Sequence, residues 1–288
     1  MGKKKRLRRQ KRALDAPTEQ VRQRGVTRTW YYIIRYIAIA AMLIDHLGKV
    51  LYGIGKMDVE AFIFCNMVGR IAFPLFAFEL VECFHFTKDR KKHLLQIGGL
   101  ALISELPFDM AMILDDPLGF TVKALWWQNT CLSLFLAFLW LVITDNLRNN
   151  EMFPFYKSEK VRRFACRSMK IALIGLFAAL AWILGADYTW RGIILVALFE
   201  FARGRKRTRL WQGFAIIYFV FSAGSSFLMY IPVFFTLLLI YLAESRKEAG
   251  EKGKLEMVLT SKPSRYFCRF FYPLHLAVLA VVRIILAT

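Results

Sequence analysis

The chain has 288 residues, 57% of them hydrophobic and 15% aromatic, with a mean hydropathy of +0.41; soluble globules hold roughly 45–50% apolar residues, so the excess has to face lipid. The net charge is +20, from 41 Lys and Arg against 21 Asp and Glu, but the cations sit in short clusters between long apolar runs. That is the pattern of a multi-pass membrane protein with basic loops, and it excludes a soluble enzyme, a secreted disulfide scaffold and a nucleic-acid-binding module.

Residues 1–28 hold eleven Lys or Arg and little apolar material. They predict a disordered basic tail near anionic lipid headgroups, followed by a single transmembrane domain over 29–288. Crossing the hydrocarbon as helix takes about 20 residues. Nine stretches are candidates: 29–54, 61–86, 94–114, 124–144, 169–186, 189–202, 211–223, 227–243 and 266–287. The sixth and seventh are short. With nine crossings, the tail and the loops 86–93, 145–170, 203–209 and 244–265 share one side and carry 33 Lys and Arg. The other side holds only Lys49, Lys56, Lys123 and Arg191. The positive-inside rule then puts the amino terminus in the cytoplasm and the carboxyl terminus outside. The expected fold is all-α: a polytopic cell-membrane protein with about nine transmembrane helices around a polar cavity.

Other chemistries are poorly represented. The five cysteines form no CxxC pair and no His/Cys metal spacing, so neither disulfides nor zinc are signalled. Walker A and GxGxxG loops are missing, which argues against a built-in ATP motor. Glu82-x-x-His85 on its own does not make a di-iron site, which needs a second such motif, so no metal is expected.

Ionisable groups inside apolar stretches each need a partner or a role, because burying one in a membrane costs several kcal/mol. The first stretch carries Arg35, Asp45 and His46. The second carries Arg70, Glu79, Glu82 and His85 beside Pro74, and the third Glu105 and Asp109 around Pro107. Asn129 opens the fourth, Asp187 and Tyr188 form a turn, and His275 lies in the ninth behind Tyr272-Pro273. So many polar groups predict a polar cavity rather than occasional interhelical glue. Arg35 and His46 are eleven residues apart, so on a helix they point the same way to within about 20° and stand roughly 16.5 Å apart. A phosphate-bearing cofactor could lie between them, with phosphates at Arg35 and a reactive end at His46. Alternatively, Arg35 snorkels to headgroups and His46 is a bonded core histidine. Asp45 points about 100° away from His46 and is expected to pair with Arg70.

Several runs together resemble the TraX family: Met42-Leu43-Ile44-Asp45-His46, Gly69-Arg70-Ile71-Ala72-Phe73-Pro74 and Val81-Glu82-Cys83-Phe84-His85. Ile103-Ser104-Glu105-Leu106-Pro107-Phe108-Asp109, Asn129-Thr130, Asp187-Tyr188 and Tyr272-Pro273-Leu274-His275 follow in the same order. The resemblance covers about residues 30 to 280. It implies an enzyme similar to the conjugation-plasmid protein that acetylates the amino terminus of pilin, and to wider groups of transmembrane acyltransferases. Acyltransferase-3 proteins carry a basic residue and a functional histidine with ten residues between them, and Arg35 and His46 reproduce that spacing. Two departures stand out. Cys83 occupies an expected glycine, and Thr189-Trp190-Arg191-Gly192 replaces a smaller turn, which puts the acceptor in question.

What the resemblance implies is a membrane-bound acetyltransferase. Acetyl-CoA would enter from the cytosol as donor substrate. The acetyl group would pass to an exported or membrane-anchored protein amine, or to a glycan hydroxyl, at the outer side, with membrane lipid around it and no nucleic acid. Implied catalytic residues are His46, Asp45, Arg70 and Asn129. Arg35, His85 and Glu105 would bind the cofactor, and Asp187, Tyr188 and His275 the acceptor. An imidazole suits the base, since it titrates near neutral pH. His46 could instead carry the acetyl group itself. Two other readings stand beside this one: a proton-coupled transporter or flippase built on the same buried acids and histidines, and a non-catalytic assembly factor for surface appendages.

Overall fold

A computed structural model of the chain describes residues 28–113, 128–149, 158–205, 207–245, 259 and 261–287. The basic tail over 1–27, the first residues of the fourth apolar stretch and most of the loop 244–265 lie outside the described residues. Among the described residues the fold is all-helical, with one isolated bridge between Gln128 and Ala186. In chain order the helices are α1 (Arg28–Gly53), α2 (Val59–Gly69), α3 (Ala72–Phe86), α4 (Arg90–Met112), α5 (Thr130–Asn149) and α6 (Glu159–Ile183). Then come α7 (Thr189–Ala202), α8 (Thr208–Phe221), a 3-10 segment (Gly224–Phe234), α9 (Phe235–Ser245) and α10 (Lys262–Ala287).

Among the described residues, six helical stretches are long and apolar enough to cross a membrane: Val59–Phe86, Arg90–Met112, Thr130–Leu147, Lys160–Ile183, Ser226–Ser245 and Pro263–Leu286. The nine expected crossings are thus not all matched by helices of spanning length. Helices α7 and α8 have 14 residues each, about 21 Å of rise, against a hydrocarbon core of about 30 Å. Helix α1 has 26 residues. It stands outside the six and carries Arg35, Asp45, His46 and Lys49.

Local sequence explains several boundaries. Asp58 and Asp89 cap α2 and α4, their carboxylates accepting from the Ala61 and Lys92 amides at 2.8 and 3.0 Å. The expected second span is broken after Gly69, and Pro74 falls in the first turn of α3, where its missing N–H costs nothing. The expected loop 145–170 is largely helical instead. α5 runs on to Asn149 and α6 begins at Glu159, because Lys and Arg lose little rotamer freedom in a helix.

The main core joins α3, α5, α7 and α8 through Phe73, Phe84, Phe138, Ile193, Leu195 and Phe219, all nearly inaccessible. A smaller core ties α1 to α4 and α10 through Met42, Phe108, Tyr272 and Leu276. Helices α1 and α2 approach most closely where side chains are small. A Cβ on Gly48 would lie 2.5 Å from Cys65 Cβ, and one on Gly69 would lie 2.2 Å from Asp45 Cβ, the small-residue contact characteristic of membrane helices. Gly69→Ala should therefore lower the thermal midpoint of the detergent-solubilised protein by several degrees, because overpacking costs about 1–3 kcal/mol. Gly99→Ala, where nothing lies within 4 Å, should leave it unchanged or raise it. Equal midpoints for the two variants would show that this contact does not constrain the fold.

Candidate functional site

Helices α1 and α10 run parallel and touch at two levels. Near their amino-terminal ends, Tyr36 Oη and Ser264 Oγ are 2.9 Å apart, and the Tyr36 ring stacks on Phe267. Ten residues further along α1, His46 Nδ1 meets His275 Nε2 at 2.8 Å, with the two imidazoles 5.1 Å apart and nearly coplanar in orientation. The second ring nitrogen of His275, Nδ1, lies 2.8 Å from the Phe271 carbonyl. A carbonyl only accepts, so Nδ1 carries the proton. In neutral His275 the Nε2 atom is then an acceptor, and His46 must donate from Nδ1. His46 Nε2 is left as a lone pair, the form a general base requires.

A cavity of about 280 Å³ lies between α1, α3, α4, α5 and α10. Its inner end is formed by Thr130, Cys131 and Tyr272, with Phe271 at its side. The histidine pair sits directly behind these rings: His46 is 6.3 Å from Tyr272, and His275 stacks on Phe271 at 4.7 Å. The Tyr272 hydroxyl is buried beside Thr130 but makes no hydrogen bond of good geometry. At the opposite end the lining includes Arg35, Glu79, His93, Arg265 and Arg269. Arg35 is fixed by Glu79 (Nε to Oε1, 2.5 Å) and by the Tyr31 hydroxyl (2.6 Å). Cys83, next to this pair, lies 3.2 Å from His93 Nε2. Between the two ends the walls are apolar, with Ile39, Met42, Phe76 and Leu100.

The residues singled out from sequence divide into three groups. His46 and His275 meet across the α1–α10 seam, whereas Arg35 lines the cavity and bonds to Glu79 on α3 and to Tyr31. Asp45, Arg70, Asp187 and Tyr188 gather on the other side of α1. Asp45 does not form the expected ion pair with Arg70: its carboxylate takes Lys49 Nζ at 2.6 Å, one turn along the same helix. Arg70 donates to Asn66 at 3.0 Å and lies over the Tyr230 ring at 5.1 Å, with Tyr188, Asp45 and Asp187 in electrostatic range. Asp187 accepts from Thr130 at 2.7 Å, and Tyr188 stacks on Phe73 at 3.7 Å.

The third group makes its bonds away from the cavity. Asn129 caps α5, its Oδ1 accepting from the Cys131 amide at 2.9 Å. Its amide nitrogen donates to Glu105 and to the Ala101 carbonyl, and neither Asn129 nor Glu105 is among the residues lining the cavity. His85 pairs with Glu200 at 2.7 Å, and Glu82 holds Arg203 through two bonds of 2.7 and 3.2 Å. Among the described residues no three His, Cys, Asp or Glu side chains are grouped to hold a metal. Sequence reasoning did not single out Glu79 as the partner of Arg35, Tyr272 at the inner end or the arginines of α10. Tyr272 and Arg265 and Arg269 repeat at helical spacing with His275, a signal that was present.

The sequence model of the TraX family, described as TraX protein, matches residues 31–283. No curated protein and no solved structure matches the chain. The chain belongs to the TraX family.

Proposed function

We propose that this protein is an integral membrane acyltransferase that moves an acetyl group from cytosolic acetyl-CoA to an amine or hydroxyl at the outer side of the membrane. The observation that carries the reading is the His46–His275 pair. Its tautomers are set by the Phe271 carbonyl, and it lies behind the inner end of a cavity whose far end is lined with arginine. The donor would lie along the α1–α10 seam with its charged end at the arginines and its thioester at Thr130, Cys131 and Tyr272. His46 Nε2 takes the proton of the acceptor as the acceptor's nitrogen or oxygen attacks the thioester carbonyl. The imidazolium that forms is stabilised through His46 Nδ1–H to neutral His275. Collapse of the tetrahedral intermediate breaks the C–S bond, and His46 returns the proton to the departing thiolate. The products are the acetylated acceptor and free CoA.

In this arrangement the oxyanion is served by the Tyr272 hydroxyl, the buried donor left without a firm partner at the inner end. Arg70 and Asn129, the candidates suggested by sequence, are engaged elsewhere. With the thirty-three Lys and Arg of the tail and of the loops 86–93, 145–170, 203–209 and 244–265 on one side, the positive-inside rule favours a cytoplasmic amino terminus and an external carboxyl terminus, so the Asp187–Arg191 turn and the loop 53–60 would frame the acceptor's approach.

Three measurements test the proposal. With labelled acetyl-CoA, His46→Gln should keep the fold and CoA binding while CoA release falls about 10²–10⁴-fold, the usual loss of a general base. Full turnover by His46→Gln together with loss in His275→Gln would move the base to α10. Tyr272→Phe should lower the maximal rate about 10²–10³-fold, the scale for an oxyanion donor, with unchanged CoA affinity; an unchanged rate removes Tyr272 from the chemistry. In a cysteine-free background, single cysteines at Asp58 and Lys252 should label from opposite sides of the membrane. Labelling from the same side would overturn the topology.

A further inference from the structure

Among the described residues, the arginine end of the cavity has an excess of positive charge. Three arginines line it, Arg35, Arg265 and Arg269, against one carboxylate, Glu79. That carboxylate is committed to Arg35 at 2.5 Å. Arg265 donates only to the Ser261 carbonyl of its own helix, at 3.4 Å, and among the described residues neither Arg265 nor Arg269 has an ion-pair partner. The two are four residues apart on α10, hence neighbours on one face. His93 lies in electrostatic range of both Arg35 and Arg269, so these groups share one volume, and Gln96 on α4 adds an amide to the same wall.

We propose that Arg265 and Arg269 are the phosphate site of the acetyl donor, an assignment that rests on the acyl-CoA reading of this cavity. Arg35 is then not the phosphate ligand that its spacing from His46 suggests. Clamped by Glu79 and Tyr31, it closes the pocket wall beside the neutral stretch of the donor. Arg265 stands about 15 Å and Arg269 about 9 Å along α10 from His275. A phosphate at this end leaves a thin, uncharged arm to thread the apolar walls towards Tyr272. The guanidinium forks match phosphate oxygens bidentately, and two uncompensated charges suit a phosphate dianion.

Anionic lipid headgroups carry the same chemistry, so the test separates the two sources. Calorimetry in phosphatidylcholine nanodiscs would compare the wild type with the R265Q/R269Q double variant, using CoA, adenosine 3′,5′-bisphosphate and pantetheine as titrants. Both substitutions are at exposed positions, so the helix should persist. The expected result is at least a tenfold weakening for CoA and for the bisphosphate, with pantetheine affinity unchanged. CoA bound equally by wild type and variant overturns the phosphate assignment alone, whereas a wild type that binds no CoA overturns the acyl-CoA reading beneath it. Native mass spectrometry supplies the lipid arm. Fewer phosphatidylglycerol molecules on the variant, with CoA affinity intact, would assign the arginines to headgroups and overturn the proposal.

Discussion

A charge or an imidazole carried into hydrocarbon has no water to solvate it, and the architecture of this bundle follows from where each one finds a partner. Arg35 reaches Glu79 on α3, Glu82 reaches Arg203 beyond α7, Asn129 reaches Glu105 on α4, and His46 reaches His275 on α10. Three of these contacts join helices that are not consecutive in the chain, and the fourth ties α4 to the start of α5. Removing one member would strand the other in a low dielectric, which costs more than the intact pair contributes. The pairs therefore fix which helices are neighbours and at what depth. Apolar packing of side chains such as Phe73 and Phe138 fills the space between them but is far less selective, since lipid tails are as apolar as the core.

Much of this was readable from the chain. The apolar runs located nearly every helix, and the 189–202 stretch coincides with α7. The eleven-residue interval put Arg35 and His46 on one face; Arg35 lines the cavity and bonds to α3, while His46 sits behind it and bonds to His275 on α10. What failed was partner choice, because it is decided by tertiary proximity that no spacing encodes. Asp45 is the instructive case. Arg70 looked suitable by type and depth, but Lys49 sits four residues away on the same helix, and an i,i+4 ion pair needs no second element to form. That local signal was available and outweighs a long-range guess. Arg70 likewise settles for Asn66, four residues earlier. The break between α2 and α3 was legible only through Pro74, whose effect is to permit a new first turn rather than to demand one.

The histidine pair illustrates how backbone geometry reaches into chemistry. Pro273 removes one N–H from the middle of α10 and leaves the Arg269 carbonyl without its helical donor. Two residues further on, the Phe271 carbonyl accepts from the His275 imidazole. That single bond decides the tautomer of His275, hence the direction of the His46–His275 hydrogen bond, hence which nitrogen of His46 keeps a lone pair. A side chain that could not donate to a carbonyl at position 275 would lose this chain of consequences even if it filled the same volume.

The separation between the arginine end and the histidine end also has an energetic logic. A phosphate cannot be carried into a region about 30 Å thick whose centre is apolar, whereas a thioester on an uncharged arm can. In the proposed reaction the roughly 9–15 Å of α10 between Arg269 or Arg265 and His275 spans up to about half that thickness. The ionic part of the donor stays where basic residues and water can hold it, and only neutral atoms travel to the base. The acceptor then needs to descend only the remaining half from the other side. The apolar middle of the cavity, lined by Ile39, Met42, Phe76 and Leu100, is consistent with that division, because it offers nothing to a charged group and little resistance to a neutral one. In the proposed reaction an acetyl group would cross the membrane without any charge moving through it, and the thioester would be the sole energy source.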